Sequence, residues 1–229
     1  LTAMSNYGYH FVQWNDGSLD NPRIVQVDSN VAYTASFAYN QYSVTGESSD
    51  TVRGVVEGSS MQNYLAFVVL TAIPNYGYHF SQWNDGLTDN PRTVQVDSNV
   101  TYTANFGFNR YTVTGESSDT VMGEVVGTAT QDYLTTVILT ATPNYGYHFT
   151  QWNDGSTNNP RTVQVEGDML YVALFGYNQY TVRGISADTS QGVVLGTSTE
   201  DYLTNVTLTA VPMTGCHFLQ WNLLKPLRI

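Results

Sequence analysis

Along most of the chain apolar and polar residues take turns one by one. Tyr111-Thr112-Val113-Thr114 alternates, Val94-Gln95-Val96 alternates, and Val100-Thr101-Tyr102-Thr103-Ala104-Asn105-Phe106 does so throughout. A two-residue period puts every second side chain on one face of a strand, and Val, Thr and Tyr suit a pleated, half-buried surface. Val137-Ile138-Leu139-Thr140-Ala141 is an apolar run of strand length. Nowhere do apolar residues recur every three or four positions over a helical length, so a mainly β fold is predicted. Gln131-Asp132-Tyr133-Leu134 admits one short helical turn.

Gly, Asn, Asp and Pro divide the runs. Asn84-Asp85-Gly86 supplies residues that tolerate positive φ, as a tight hairpin turn requires. Asn90-Pro91 then sets an extended entry into Arg92-Thr93-Val94. Around Tyr78, Phe80 and Trp83 the alternation slips by one residue. That slip predicts a bulge that turns both Phe80 and Trp83 toward the core.

The same words return down the chain. Tryptophans stand at 14, 83, 152 and 221, each 69 residues from the last. A fixed period with no insertions is the mark of a repeat array. The units fall at 1–40 (the back half of a module), 41–109 and 110–178 (complete modules), and 179–229 (a front part). In that last unit residues 223–229, Leu-Leu-Lys-Pro-Leu-Arg-Ile, replace the Asp-Gly turn and the strands beyond it. The expectation is a tandem array of small β-rich modules forming an elongated rod. Linkers such as Gly107-Phe108-Asn109 are almost too short to flex. Expected core residues are Phe11, Trp14, Phe37, Phe80, Trp83, Phe106, Phe149, Trp152, Phe175, Phe218 and Trp221. Asp16-Gly17, Asp85-Gly86 and Asp154-Gly155 are expected to form turns.

The order Leu-Thr-Ala-x-Pro-Asn-Tyr-Gly-Tyr-His-Phe-x-Gln-Trp-Asn-Asp-Gly, then Asn-Pro-Arg-x-Val-x-Val, then Tyr-Thr-Ala-x-Phe, resembles the divergent internalin-type B-repeat of bacterial surface proteins. Residues 139–177 carry Leu139, Pro143, Gly146, Phe149, Trp152, Gly155, Val163, Val165 and Phe175 at matching places, while Tyr171-Val172-Ala173 varies the last motif. The likeness spans the chain except Leu223 to Ile229. It implies a small β-rich module related to the β-grasp arrangement, used outside the cell as a spacer or adhesive element, and it implies no reaction.

Charge narrows the partners. Nineteen Asp and Glu stand against eight Lys and Arg, a net of −11 with pI near 4.4. Phosphate backbones and anionic membrane surfaces attract basic clusters, and none is present. No apolar run approaches the roughly 20 residues that span a bilayer. The sole cysteine, Cys216, excludes an intrachain disulfide, and the sole lysine, Lys225, excludes a lysine–asparagine side-chain crosslink within each repeat. The chain opens on Leu1 in mid-repeat, which reads as an excerpt of a longer polypeptide.

Candidate chemistry is sparse. His79 and Asp85 (His10 and Asp16, His148 and Asp154 in the other copies) have the residue types of an acid–base pair, yet no nucleophile accompanies them. The residue after the phenylalanine is Val12, Ser81, Thr150 or Leu219. The histidine is better read as a strand residue and the aspartate as a turn former. Asp85, Asp89 and Asp97 lack the close spacing of a calcium loop, so no metal or cofactor is expected. Tyr7, Tyr76 and Tyr145 belong to crowded aromatic segments that one small module cannot bury, so they should lie at module junctions or meet a ligand. Three expectations follow. The leading one is a non-enzymatic extracellular spacer whose partners are its own neighbouring repeats. The second is an adhesin that binds a glycan or host protein through these aromatics. The third is a subunit whose terminal half-modules complete other copies head to tail, burying open strand edges.

Overall fold

The computed structural model describes residues 1–222, and the tail at 223–229 lies outside the described residues. The chain divides into two compact units, Leu1–Arg110 and the part from Tyr111 onward. Each unit pairs one complete copy of the repeat with one partial copy.

Residues 1–40 contribute β1 (Tyr9–Trp14) and β2 (Ala35–Tyr39). The copy that follows has seven strands: β3 (Gln41–Ser48), β4 (Gly54–Glu57), β5 (Ser60–Asn63), β6 (Phe67–Pro74), β7 (Tyr78–Trp83), β8 (Arg92–Gln95) and β9 (Val100–Phe108). They build two sheets, one ordered β5-β3-β9-β7 and one ordered β4-β6-β8. At the centre of the first, β3 and β9 run parallel, from Val44 opposite Val100 to Ser48 opposite Ala104. Of a β-grasp arrangement the module thus has the parallel central pair, and its second layer is a three-stranded sheet. Between the layers lie Val44, Val68, Leu70, Ala72, Trp83, Val94, Val96, Ala104 and Phe106, with Phe80 packed against them.

The bulge is present: register shifts between Phe80 and Gln82 as β7 pairs with β9. Ser81 is the extra residue, and it brings Phe80 and Trp83 to the same side. The same irregularity lies between Phe11 and Gln13 and between Phe149 and Gln151.

Two local expectations need correction. Asn84-Asp85-Gly86 does turn tightly, with Gly86 at φ +84° and its N–H donating to the Trp83 carbonyl at 2.9 Å. It is not the loop of a paired hairpin, however. β7 pairs with β9, and the chain leaving the turn crosses to the other sheet, where β8 pairs with β6. The short helical turn is also absent. Gln131 and Asp132 end a strand, and Leu134 sits at φ +67°, a left-handed conformation outside the right-handed helix.

The second complete copy repeats the plan with β10 (Arg110–Ser117), β11 (Gly123–Val126), β12 (Ala129–Asp132), β13 (Thr136–Pro143), β14 (Tyr147–Trp152), β15 (Arg161–Gln164) and β16 (Met169–Tyr177). Its sheets are β12-β10-β16-β14 and β11-β13-β15. Among the described residues the last copy has β17 (Gln179–Val182), β18 (Gly192–Leu195), β19 (Ser198–Asp201) and β20 (Thr209–Pro212), joined there only as β17-β19 and β18-β20. No helix among the described residues is long and apolar enough to cross a membrane.

Burial follows completeness at most of these positions, with Trp14 the exception, buried within a partial copy. Trp83 and Trp152 are fully enclosed, Trp14 and Phe106 are buried, and Phe11, Phe149 and Phe175 are half-buried. Phe37, Phe218 and Trp221 depart from the expected core: they are 42%, 44% and 50% exposed. The reason is missing partners. Residues 1–40 hold no counterpart of β4 or β6 to cover Phe37. The described part of the last copy holds no counterpart of β8 or β9 to close over Phe218 and Trp221.

Candidate functional site

Of the residues singled out by sequence, the histidines, Tyr7 and Tyr145 converge on the boundary between one copy and the next. That boundary is built around an asparagine. In the first unit the Asn40 N–H donates to the Gly8 carbonyl at 2.8 Å, and the Asn40 carbonyl accepts the Tyr64 N–H at 2.8 Å. In the second unit Asn178 bonds Gly146 and Tyr202 in the same way, at 2.9 and 2.8 Å. One backbone residue therefore ties the end of a copy to the strand connection of its successor.

The side chain fixes that residue in turn. Asn40 Nδ2 donates to the Tyr9 carbonyl and its Oδ1 lies 2.9 Å from His10 Nδ1. Asn109 with His79 and Asn178 with His148 repeat the pair at 3.0 Å. Because the amide nitrogen already faces a carbonyl, its oxygen accepts, and the histidine must carry its proton on Nδ1. The opposing strand residue is kept small for the ring: a Cβ on Gly107 would come within 2.9 Å of the His79 imidazole.

Asp85 points elsewhere. Its two carboxylate oxygens receive both terminal nitrogens of Arg92 at 3.2 and 2.9 Å, and Arg92 lies over the Tyr102 ring at 3.7 Å with Trp83 at 5.4 Å. Arg161 repeats this with Asp154, Tyr171 and Trp152, and Arg23 with Asp16, Tyr33 and Trp14. The hydrogen-bonded guanidinium holds the Asp16, Asp85 and Asp154 carboxyls below their ordinary range, against a smaller opposing effect of burial. The indole is pinned too, with Trp83 Nε1 donating to the Asp89 carbonyl at 2.8 Å. His79 and Asp85 thus serve different partners, one the linker and one the turn. They do not form an acid–base pair. Among the described residues no three His, Cys, Asp or Glu side chains converge as metal ligands would.

Tyr7 and Tyr145 lie on the boundary itself. Tyr7 donates from its hydroxyl to the Asp97 carbonyl at 2.8 Å and meets Tyr64 edge-on, ring centres 5.6 Å apart. Tyr145 meets Tyr202 edge-on at 5.7 Å. Tyr9 and Tyr147 pack the same partners from the other side, at 5.9 and 5.5 Å. The glycine between each pair explains the closeness. Gly8 and Gly146 have φ of +82° and +89°, and a Cβ on either would run into the ring of Tyr64 or Tyr202. Desolvation raises the Tyr7 and Tyr147 phenols above their ordinary value. Tyr76, the counterpart of Tyr7 and Tyr145 in the intervening copy, is exposed to a similar degree.

Two sets of residues escape a reading of the sequence: the asparagines 40, 109 and 178, and the arginines 23, 92 and 161. Each recurs at the repeat period. The signal was present, but neighbours along the chain gave no hint that Asn109 bonds a histidine 30 residues earlier.

A search of solved structures finds the Bacillus anthracis TIE protein, at 10% identity and TM-score 0.39, with 79% of this chain covered. The chain spans about half, 47%, of that protein's length. Among curated proteins none matches. The family model described as the divergent InlB B-repeat domain matches residues 1–41, 43–110, 111–179 and 183–225, so nearly every residue lies in one of four copies. The chain belongs to the divergent InlB B-repeat domain family.

Proposed function

We propose that this chain is a non-enzymatic spacer of a bacterial cell-surface or secreted protein, in which each 69-residue copy adds a fixed increment of length. The observation that carries this reading is the recurrence of one boundary. Asn40 with Gly8 and Tyr64, and Asn178 with Gly146 and Tyr202, are joined by the same bonds in both units. A linker whose N–H, carbonyl and side chain are all engaged leaves few torsions to swing on, so within each unit the second copy follows the first in a set direction. The family supports the setting, since domains of this kind occur in bacterial surface and secreted proteins.

Small-angle scattering of variants carrying one and two extra copies of residues 41–109 tests the reading. The maximum dimension is expected to grow by a constant step per copy. A dimension that stays flat overturns it. Saturable binding to a glycan or host protein, lost when Tyr76 and Tyr145 become alanine while the fold persists, replaces it with the adhesin.

A further inference from the structure

We infer that the Tyr-Gly-Tyr turn ending a module is a docking site whose ligand is the tyrosine-bearing turn of the next module, and that docking transmits folding stability from one copy to its successor. The site comprises Tyr7-Gly8-Tyr9 receiving Tyr64, and Tyr145-Gly146-Tyr147 receiving Tyr202. It deepens the spacer reading and rests on it for the use made of the coupling, while the contact itself is tested separately.

Three observations carry it. The first is steric: a bare backbone at Gly8 and Gly146 is what lets a neighbouring ring lie flat on the turn. The second comes from the ligand side. Among the described residues the non-glycine positions with positive φ are Leu65, Leu134 and Leu203, at +68°, +67° and +71°. Each directly follows one of the tyrosines at 64, 133 and 202. A leucine in a left-handed conformation is held there against its own preference, and such strain persists where the surroundings impose it. Here the imposed turn presents a ring: Leu65 N–H donates to the Val96 carbonyl at 2.8 Å while Tyr64 N–H reaches back to Asn40.

The third observation is the state of the last copy. Its strands β17 to β20 form two separate pairs, and its aromatic core positions are half exposed. Tyr202 nevertheless packs with Tyr145, Tyr147 and Tyr180, so the best-packed aromatic group of that copy is the one it shares with its predecessor. The fourth copy also reads Thr214-Gly215-Cys216 where the others have Tyr-Gly-Tyr. It keeps the glycine and has lost both flanking rings, so it offers no such site to a further module.

Hydrogen exchange of the full chain, resolved by peptide, tests the coupling. Tyr145→Ala is the decisive variant, because Tyr145 is 80% exposed and lies outside both its own core and the last copy. It is expected to speed exchange in Gln179–Val182 and Thr209–Pro212 by about tenfold while Thr136–Pro143 exchanges as before. Tyr202→Ala should do the same, and the double variant should exceed neither single variant by more than about twofold. Tyr202→Phe keeps the ring and should stay near the parent rate. Unchanged exchange in 179–212 on Tyr145→Ala overturns the inference, as does equal acceleration of Thr136–Pro143. Additive effects in the double variant overturn it as well. None of these outcomes alters the step in length per copy that the scattering measures.

Discussion

Trp152 and Trp221 occupy the same place in copies 69 residues apart, after the same Gln, and before the same Asn, yet one is fully enclosed and the other half in solvent. Val96 and Val27 differ even more, one completely buried and the other 90% exposed. The local words are alike and the environments are not. What differs is the far strand: Val96 follows β8, which pairs with β6, whereas residues 1–40 contain no β6 for Val27 to approach. In this fold the valines of the second sheet are buried by strands from elsewhere in the copy, whereas the tryptophan can also be covered locally, as Trp14 is within residues 1–40 under Arg23.

The largest contrast between closed and open copies should lie at the tryptophans. Trp152→Ala should destabilise its module by about 3 to 5 kcal/mol, because a large cavity opens between two sheets. Trp221→Ala should change stability by less than about 0.5 kcal/mol. Denaturant unfolding of both variants checks this, and equal losses would erase the distinction between closed and open copies. Valine gives a gentler version. Val165→Ala removes two buried carbons and should destabilise by about 2 kcal/mol, while Val27→Ala should fall within about 0.5 kcal/mol of the parent.

The smallest effect concerns acid. Hydrogen bonds from Arg92 and Arg161 hold the Asp85 and Asp154 carboxyls below the ordinary carboxylate range. A carboxyl lowered in the folded state binds fewer protons there than when unfolded. The stability it contributes is therefore complete above the unfolded value and is lost as pH falls through the lower folded value. Complete copies should weaken below about pH 4, and Asp154→Asn should flatten that part of the curve for residues 110–178. Both carboxylates are partly solvated, so the change is expected to be modest. Melting curves between pH 2 and 6 read it out. A curve for Asp154→Asn that falls as steeply as the parent's would remove the ion pair from the account.

Much of the plan was legible in the residues. Alternation marked the strands, the slip at Phe80 marked the bulge, and the tryptophan spacing marked the period. Partnership was not legible, because a period of two fixes which face a side chain takes and says nothing about which strand lies alongside. The parallel pairing of β3 with β9 joins residues 56 apart, and Asn-Asp-Gly reads as a hairpin until β8 is seen in the other sheet. The histidine shows the same limit. Its nearest charged neighbour in sequence is an aspartate six residues on, whereas its partner is the asparagine that links two copies.

The boundary is assembled wholly from residues that recur at the repeat period: tyrosine, glycine, tyrosine, histidine and asparagine from one copy, tyrosine and leucine from the next. A stretch of 69 codons lost or gained by recombination within the part that encodes residues 1–178, whatever its phase, rejoins the sequence in register and regenerates that boundary intact. Copy number can therefore drift between lineages with no intermediate that misfolds at the seam, and length becomes a trait that changes in whole steps.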